Sequence, residues 1–381
     1  MLGLFFLTPW LAGVGEAPAA AALGAVASAV TGEVRVILPD GGVRPLAVGD
    51  RVEAAYVIES AKGGKATLTL DDGSVVEVFE ATRIEVNELL PEEKSKFSLS
   101  LFFGRIAAKL SKLRGDDLVI TPTMVAGARG TEFLVGVADD GASVVSVNAG
   151  QVAVATDQEG RVTGEVQLGA GQEVEAAKLG EELRPRPLTL ATLDDFLAFR
   201  QQRLMALQAN MPEIIARLEK GIDPRLATLG RLQAMPVDRA KVLQDLDRKV
   251  KELKPEDAAQ MAQLAIQAHM EAANLLQAVR DFRRERMRLR STFVQSQRLQ
   301  ALLPGLAEQL GPQYQAVDQG LQRILARQQA VEQQEKMMAQ RFGEALAPIQ
   351  PLLKKFQAPP AEIPACVPTQ PILDLFKKKS Q

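Results

Sequence analysis

The feature that most constrains this chain is a change of period at Arg184-Pro185-Arg186-Pro187. Two X-Pro steps within four residues favour extended backbone and stop a helix. Before them, apolar residues alternate with polar ones: Val34, Val36 and Leu38; Ala66, Leu68 and Leu70; Val76 and Val78; Ile84 and Val86. Period two over short runs is the pattern of half-buried strands. After them the alternation disappears, and Leu, Ala, Gln, Arg and Glu take over to about Arg341. All five are good helix formers. The expected fold class is therefore all-β followed by all-α.

The β part is punctuated by explicit turns at Asp40-Gly41-Gly42, Asp72-Gly73, Asp140-Gly141 and Glu159-Gly160. Asp-Gly between apolar alternations supplies the positive-φ residue that tight hairpins need. Strands recur every eight to twelve residues or so, which predicts a β-sandwich or a short β-solenoid rather than βαβ units. Phe97 to Leu113 is ambiguous. Phe97, Leu99 and Leu101 alternate like a strand, while Ile106 to Leu113 could stay extended or form a helical turn.

One stretch is more specific than its neighbours. In Thr121 to Val137 a strand enters through Leu118, Val119 and Ile120 and stops at Thr121-Pro122. A Gly-rich crossing is expected at Gly127 to Gly130, and a second strand leaves through Phe133, Val135 and Val137. Together with Ala128-Arg129-Gly130-Thr131-Glu132-Phe133, this stretch resembles the core of the FecR domain. Other pieces follow in order: Gly32-Glu33-Val34, Leu46 to Asp50 (LAVGD), Leu68 to Ser74 (LTLDDGS) and Thr82 to Val86. Phe102 to Ile106 (FFGRI), Val147 to Val152 (VNAGQV) and Leu168 to Glu173 (LGAGQE) complete the set. The resemblance runs over roughly residues 32 to 180. It implies a β domain in an envelope setting, with Thr121, Pro122, Arg129, Gly130, Thr131, Glu132 and Phe133 as family-motif residues. A full regulator of this family carries an anti-sigma segment and a membrane helix before the domain. About thirty residues precede it here, too few for both, and a long helical region follows it.

Four segments are expected: a leader at 1–29, the FecR-like domain at 30–187, a helical or coiled-coil domain at 190–345, and a Pro-rich, disordered tail at 346–381. Leu2 to Val14 is apolar, and Ala27-Ser28-Ala29 has the form of a signal-peptidase site, so the leader reads as a signal peptide cut after Ala29. No Lys or Arg occurs before Arg35, so on this reading the true start lies upstream of Met1.

In the helical part Thr192 and Asp195 have the spacing of a capping box. Helices are expected from Thr192 to Lys220, ended by Gly221, then from Pro224 to Ala234 and from Val237 to Leu253. Two more are expected from Pro255 to Leu303 and from Pro312 to Phe342. Leu275, Val279, Phe282, Leu289 and Phe293 form a narrow coiled-coil seam, interrupted by Arg286. That seam predicts a homo-oligomer formed through the helices.

Composition removes several chemistries. With one Cys and one His, Cys366 and His269 cannot by themselves build a zinc site or a Cys–His dyad. No loop has the D-x-D-x-D-G spacing of a calcium site, so Asp50, Asp71 and Asp72 read as turn residues. No catalytic, cofactor-binding or metal-ligating residue is assigned, and no cofactor is expected. Net charge is −2 and aromatics make up 4%, which argues against nucleic acid. Six arginines lie within Arg280 to Arg290. A polyanion patch is one reading, but their spread around the helix favours a solvated surface paired with nearby glutamates. Arg129 could clamp a carboxylate; the plainer reading is that Arg129 and Glu132 satisfy buried backbone or each other. The prolines from Pro348 onward and the basic end at Lys377 read as a linker and tail.

The expected function is a non-catalytic, periplasmic protein whose FecR-like domain is a protein-interaction or assembly module, spaced or oligomerised by the helices. Its mechanism would be edge-strand or surface binding. The alternative is a FecR-type signal relay through a separate membrane partner. Membrane contact is expected only through the leader or the basic tail.

Overall fold

A computed structural model describes residues 25–87, 98–111, 117–128, 130–158, 161–253, 257–349 and 351–353. Residues 1–24, Phe97, Arg129, Glu159-Gly160, Pro255-Glu256, Cys366 and the tail beyond 353 lie outside the described residues. The large mixed β region and the long helical region expected from the change of period are both present.

The strand pairings fall into two layers. In the first the order is β4 (Arg51–Val52), β1 (Ala25–Thr31), β6 (Lys65–Leu70), β7 (Val75–Val78), β9 (Ser98–Lys109), β12 (Glu132–Val137), β13 (Ser143–Ala149), β16 (Gln172–Ala176) and β17 (Arg186–Pro187). In the second it is β3 (Val43–Pro45), β2 (Val34–Ile37), β5 (Val57–Ser60), β8 (Thr82–Val86), β9 again, β10 (Asp117–Ile120), β11 (Val125–Ala128), β14 (Gln151–Gln158) and β15 (Arg161–Gly169). Pairing is antiparallel except between β9 and β10. The inward residues of both layers, among them Ile58, Leu68, Ile84, Val135, Val145 and Val154, form one apolar core.

β9 belongs to both layers. Leu99 and Leu101 pair with β8, while Gly104 to Lys109 pair with β12. The core positions change parity between the halves, from Leu99 and Leu101 to Ile106 and Ala108. Gly104 sits at the change with φ +93°, and a Cβ there would lie 2.5 Å from Thr82 Cα. The ambiguous stretch is therefore strand as far as Lys109, because both layers draw on it for pairing.

Three boundaries differ from expectation. Ala27-Ser28-Ala29 lies inside β1, with Ala25 and Ala27 buried between β4 and β6. A cut after Ala29 would remove most of that strand. Gly127 is not at a crossing: it lies within β11 and pairs with Leu118 and Ala153, where small residues let Ala126 and Ala128 bury. The Arg-Pro break contains β17, an outer strand paired with β16.

The helical region is α1 (Leu193–Glu252), α2 (Ala258–Leu302), a short α3 (Ala307–Leu310) and α4 (Tyr314–Leu346). α1 begins with the capping box of Thr192 and Asp195. It does not end at Gly221; it continues through Pro212, Pro224 and Pro236. Each interior proline removes a helical hydrogen bond, at a cost of about 3 kcal/mol. The helix survives because its buried stripe is not interrupted: Met211, Ile215, Leu218, Ile222, Leu229 and Leu243 all bury in the helical core. At ~1.5 Å per residue, α1 spans about 90 Å. Ile349 and Leu353 are buried in the same core, so the tail cannot begin at residue 346.

The seam of α2 is filled from within the chain. Leu275, Val279, Phe282, Leu289 and Phe293 join the core made with α1 and α4, and Phe282 stacks on Phe342 with ring centroids 4.2 Å apart. Arg286, the interruption, pairs with buried Glu335 of α4. The seam that suggested self-association is thus spent on intramolecular packing.

Candidate functional site

The motif residues divide by role. Thr121 and Pro122 open the turn from β10 to β11. The Thr121 N–H donates to the Met124 carbonyl at 2.9 Å, and the Met124 N–H donates to Thr121 Oγ1 at 2.9 Å. A threonine there closes the turn on both sides. Gly130 and Thr131 lead into β12, and the Thr131 carbonyl accepts from the Leu110 N–H. Buried Thr131 Oγ1 has no hydrogen-bond partner among the described residues. Glu132 pairs with Lys109 of the neighbouring β9; its expected contact with Arg129 lies outside the described residues. Phe133 is core. The described motif residues shape the sheet, and among the described residues no reactive group converges on them.

The turn aspartates do turn chemistry. Asp50 accepts from the Ala47 N–H at 2.9 Å and Asp72 accepts from the Ser74 N–H at 2.9 Å. Asp71 faces Arg51 at 3.3 Å. Among the described residues no cluster of three His, Cys, Asp or Glu could hold a metal ion. His269 is exposed on α2.

Where the two regions meet, the sequence offered no motif, yet ion pairs concentrate there. The hairpin between β12 and β13 carries Asp139-Asp140-Gly141 and inserts between α1 and α2. Asp139 accepts from Arg200 of α1 at 3.0 Å and from Arg298 of α2 at 2.8 Å. Asp140 accepts from Arg203 Nε at 2.9 Å. Arg298 also lies over the Phe103 ring, 5.3 Å from its centroid. Burial pushes the Asp139 carboxyl up. The fields of Arg200 and Arg298 and the hydrogen bonds they donate outweigh it, so its pKa is held below the ordinary aspartate value.

Apolar contacts flank the clamp. Phe196 and Phe199 of α1 pack on Ala138, Ala142 and Val144. A Cβ on Gly136 would lie 2.8 Å from Phe196 Cδ2, so the ring rests directly on the β12 backbone. On the other layer, Met287 and Val294 of α2 cover Phe102 and Ile120. Arg290 bridges Glu85 of β8 at 2.6 Å and Glu335 of α4 at 3.4 Å. Burial opposes the Arg290 charge, but the two carboxylates raise its pKa further than burial lowers it. Arg284, Arg286 and Arg288 meet Asp281, Glu335 and Glu285. The arginine run is therefore mostly paired.

Glu173 anchors the passage out of the β region. Fully buried, it accepts from Arg186 Nε at 2.9 Å, Thr189 Oγ1 at 2.6 Å, and the Thr189 and Leu190 N–H groups at 3.0 Å. Burial pushes its carboxyl up, these donors overcome that, and its pKa is lowered. In the sequence Glu173 stands out only as the end of the LGAGQE turn. The i,i+3 pair Arg200 and Arg203 was the one visible hint of the clamp.

The sheet edges differ in kind. β3 ends in Pro45, β17 ends in Pro187, and β4 has two residues. Short, proline-bearing outer strands resist pairing with another chain. β15 is nine residues long and pairs only with β14 among the described residues. Its register is regular from Glu165 to Gly169 and shifts opposite Thr156/Asp157. Leu168 is buried, while Glu165 and Gln167 are exposed.

Residues 56–153, from the start of β5 into β14, match the family model described as FecR protein. This part of the chain is a FecR domain. The match is narrower than the 32–180 resemblance and includes the clamped hairpin but not β15. Two crystal structures of one protein from Parabacteroides distasonis ATCC 8503, described as a candidate anti-sigma factor, are similar to this chain. They were solved at 1.65 and 2.50 Å, share 19% identity, and give TM-scores of 0.30 and 0.29. Each similarity covers 34% of this chain, and the chain spans 59% of the length of that protein. No curated protein sequence matches the chain.

Proposed function

We propose that this is a non-enzymatic, FecR-type regulatory protein of the cell envelope that works through protein contact. The FecR domain is the partner-binding module, and the helical region is a brace fixed to it by the Asp139–Asp140 clamp. The observation that carries the reading is the open edge of β15. An extended segment of a partner could add there as a further strand, with Glu165 and Gln167 on the face that reads its side chains. The committed arginine–carboxylate pairs at the junction favour a structural over a catalytic use of those groups. The match to the FecR family model supports the envelope setting. Among the described residues no helix is long and apolar enough to cross a membrane. On the relay reading the FecR domain works through a separate membrane partner.

A photo-crosslinking residue at Gln167, compared with one at exposed Met270 on α2, tests this in the native host. Capture of one membrane or receptor protein at Gln167 alone supports relay. Capture of wall proteins or of a second copy there supports an assembly role. Equal capture at both positions removes the edge-binding reading. A leader, where one is removed, should be cut before Ala25 so that β1 stays intact; N-terminal sequencing of the mature protein reads this directly.

A further inference from the structure

α2 presents two faces. Its seam, from Leu275 to Phe293, is spent in the helical core. One residue further round, at about 100°, Met287, Arg290, Val294 and Arg298 follow one another at three- and four-residue steps. That spacing makes a second stripe, and all four side chains lie on the FecR domain. Met287 and Val294 pack with Phe102 of β9 and Ile120 of β10. Arg290 reaches Glu85 of β8 at 2.6 Å. Arg298 reaches Asp139 at 2.8 Å and covers the Phe103 ring. Apolar and arginine side chains thus alternate along the helix, and apolar residues and carboxylates answer them on the sheet.

This contact is built differently from the interiors on either side of it. The β core runs from Ala25 to Leu183 and the helical core from Leu207 to Leu353, and the two share no residue. Between them lie the small cluster under α2 and a second one, where Phe196 and Phe199 of α1 meet Ala138, Ala142 and Val144. The charges at the junction are sorted. In each of the five ion pairs described across it, the carboxylate belongs to the β side (Glu85, Asp139, Asp140 or Glu175) and the arginine to a helix. The whole regions follow the same sign: residues 1–187 are net negative and residues 188–381 net positive. Complementary charge of this kind steers and orients two bodies that meet. Contacts between domains that are not large and apolar allow the domains to move. Parting also leaves Arg290 with a carboxylate of its own region, Glu335 of α4 at 3.4 Å.

We propose that the surface of the FecR domain formed by Glu85, Phe102, Ile120 and Asp139 is a docking site for an arginine-bearing amphipathic helix, and that α2 closes it in cis as a lid. With the lid raised, each region keeps its own core. The surface then takes a partner helix of the same pattern, apolar and arginine in turn at three- and four-residue steps. α2 is the internal competitor of that partner. The surface is distinct from the β15 edge, and the inference does not rest on strand addition there.

The test is cysteine protection in the full chain, with its single cysteine removed by Cys366→Ser. One new cysteine is placed at a time: Val294→Cys under the lid, Leu275→Cys in the helical core, or Val145→Cys in the β core. Alkylation is timed under native conditions. Raising NaCl from ~50 to ~500 mM shortens the screening length. Reaction at position 294 should speed up at least about tenfold, and the two core positions should stay protected. Arg290→Gln/Arg298→Gln should have the same effect at low salt, and protection of the core positions in that background shows that the variant is folded. A free peptide of residues 283–300 should also speed reaction at position 294 by taking the surface. The same peptide carrying Arg290→Glu/Arg298→Glu should not. The proposal is overturned if the three cysteines react at one rate throughout, or if reaction at position 294 ignores salt and the arginine variant. It is equally overturned if the native peptide has no effect, or no more effect than the reversed one.

Discussion

The two regions treat proline in opposite ways. In the FecR domain and its flanks, proline ends things: Pro45 closes β3, Pro122 lies in the turn after β10, and Pro187 closes β17. In α1 three prolines, twelve residues apart, end nothing. The difference is what each would have to interrupt. A strand in the middle of a layer needs its N–H for pairing, so proline is confined to outer positions. A helix loses one bond, and the loss is local. A buried stripe that resumes on the same face a turn later can offset it. Proline is thus a boundary where pairing is the source of stability, and a tolerated defect where side-chain packing is.

The strongest way to break the comparison is to damage the β region where two layers depend on one residue. Gly104→Val forces a β-branched side chain into φ +93° and into Thr82. Strain and overpacking together should cost about 5 kcal/mol, read as a collapse of the denaturant midpoint; a shift of under ~1 kcal/mol would show that the corner at β9 is soft. Next, Phe282→Ala removes the partner of Phe342 and should cost the helical region about 4 kcal/mol. If strand signals fall at the same denaturant concentration as helix signals, the regions unfold as one body.

Asp139→Asn sharpens that question, because it weakens only the clamp. Leaving Arg200 and Arg298 with a neutral partner in a buried setting should cost about 3 kcal/mol. The pH dependence has a definite sign. The folded pKa of Asp139 lies below its ordinary value of 3.8. Its contribution is therefore complete above the ordinary value and is lost as pH falls through the folded one. The original protein should weaken in acid more steeply than the variant. An identical acid profile would mean that the clamp adds nothing. The smallest effect has the opposite sign. Pro212→Ala, at an exposed position in α1, should stabilise the helical region by about 2 kcal/mol, since alanine restores a backbone donor. A loss instead would show that the helix is shaped around the proline.

Much of this was legible in the residues, and the failures have a common cause. Strands such as Ala66–Leu70 and Val76–Val78 declare themselves because alternation is local. The three-, four- and seven-residue spacing of Met211, Ile215, Leu218, Ile222 and Leu229 was equally local and ran straight across Gly221 and Pro224. Reading the punctuation ahead of the stripe cut one helix into three. The site was harder. Asp140-Gly141 is visible as a turn, but nothing near it shows that the neighbouring Asp139 pairs with Arg200 and, far along the chain, with Arg298. β15 could be read as a strand, whereas its outer position is a property of strand order and of no residue in it.

One consequence of β9 is mechanical. It is the strand that hydrogen-bonds in both layers, so it acts as a shared spar between two panels. A pull that peels outer strands from one panel runs into β9 and there meets the other panel in shear. Under force the FecR domain should resist as a single element with one dominant rupture. That would suit a part that has to pass tension from a captured partner into the rest of the molecule without coming apart.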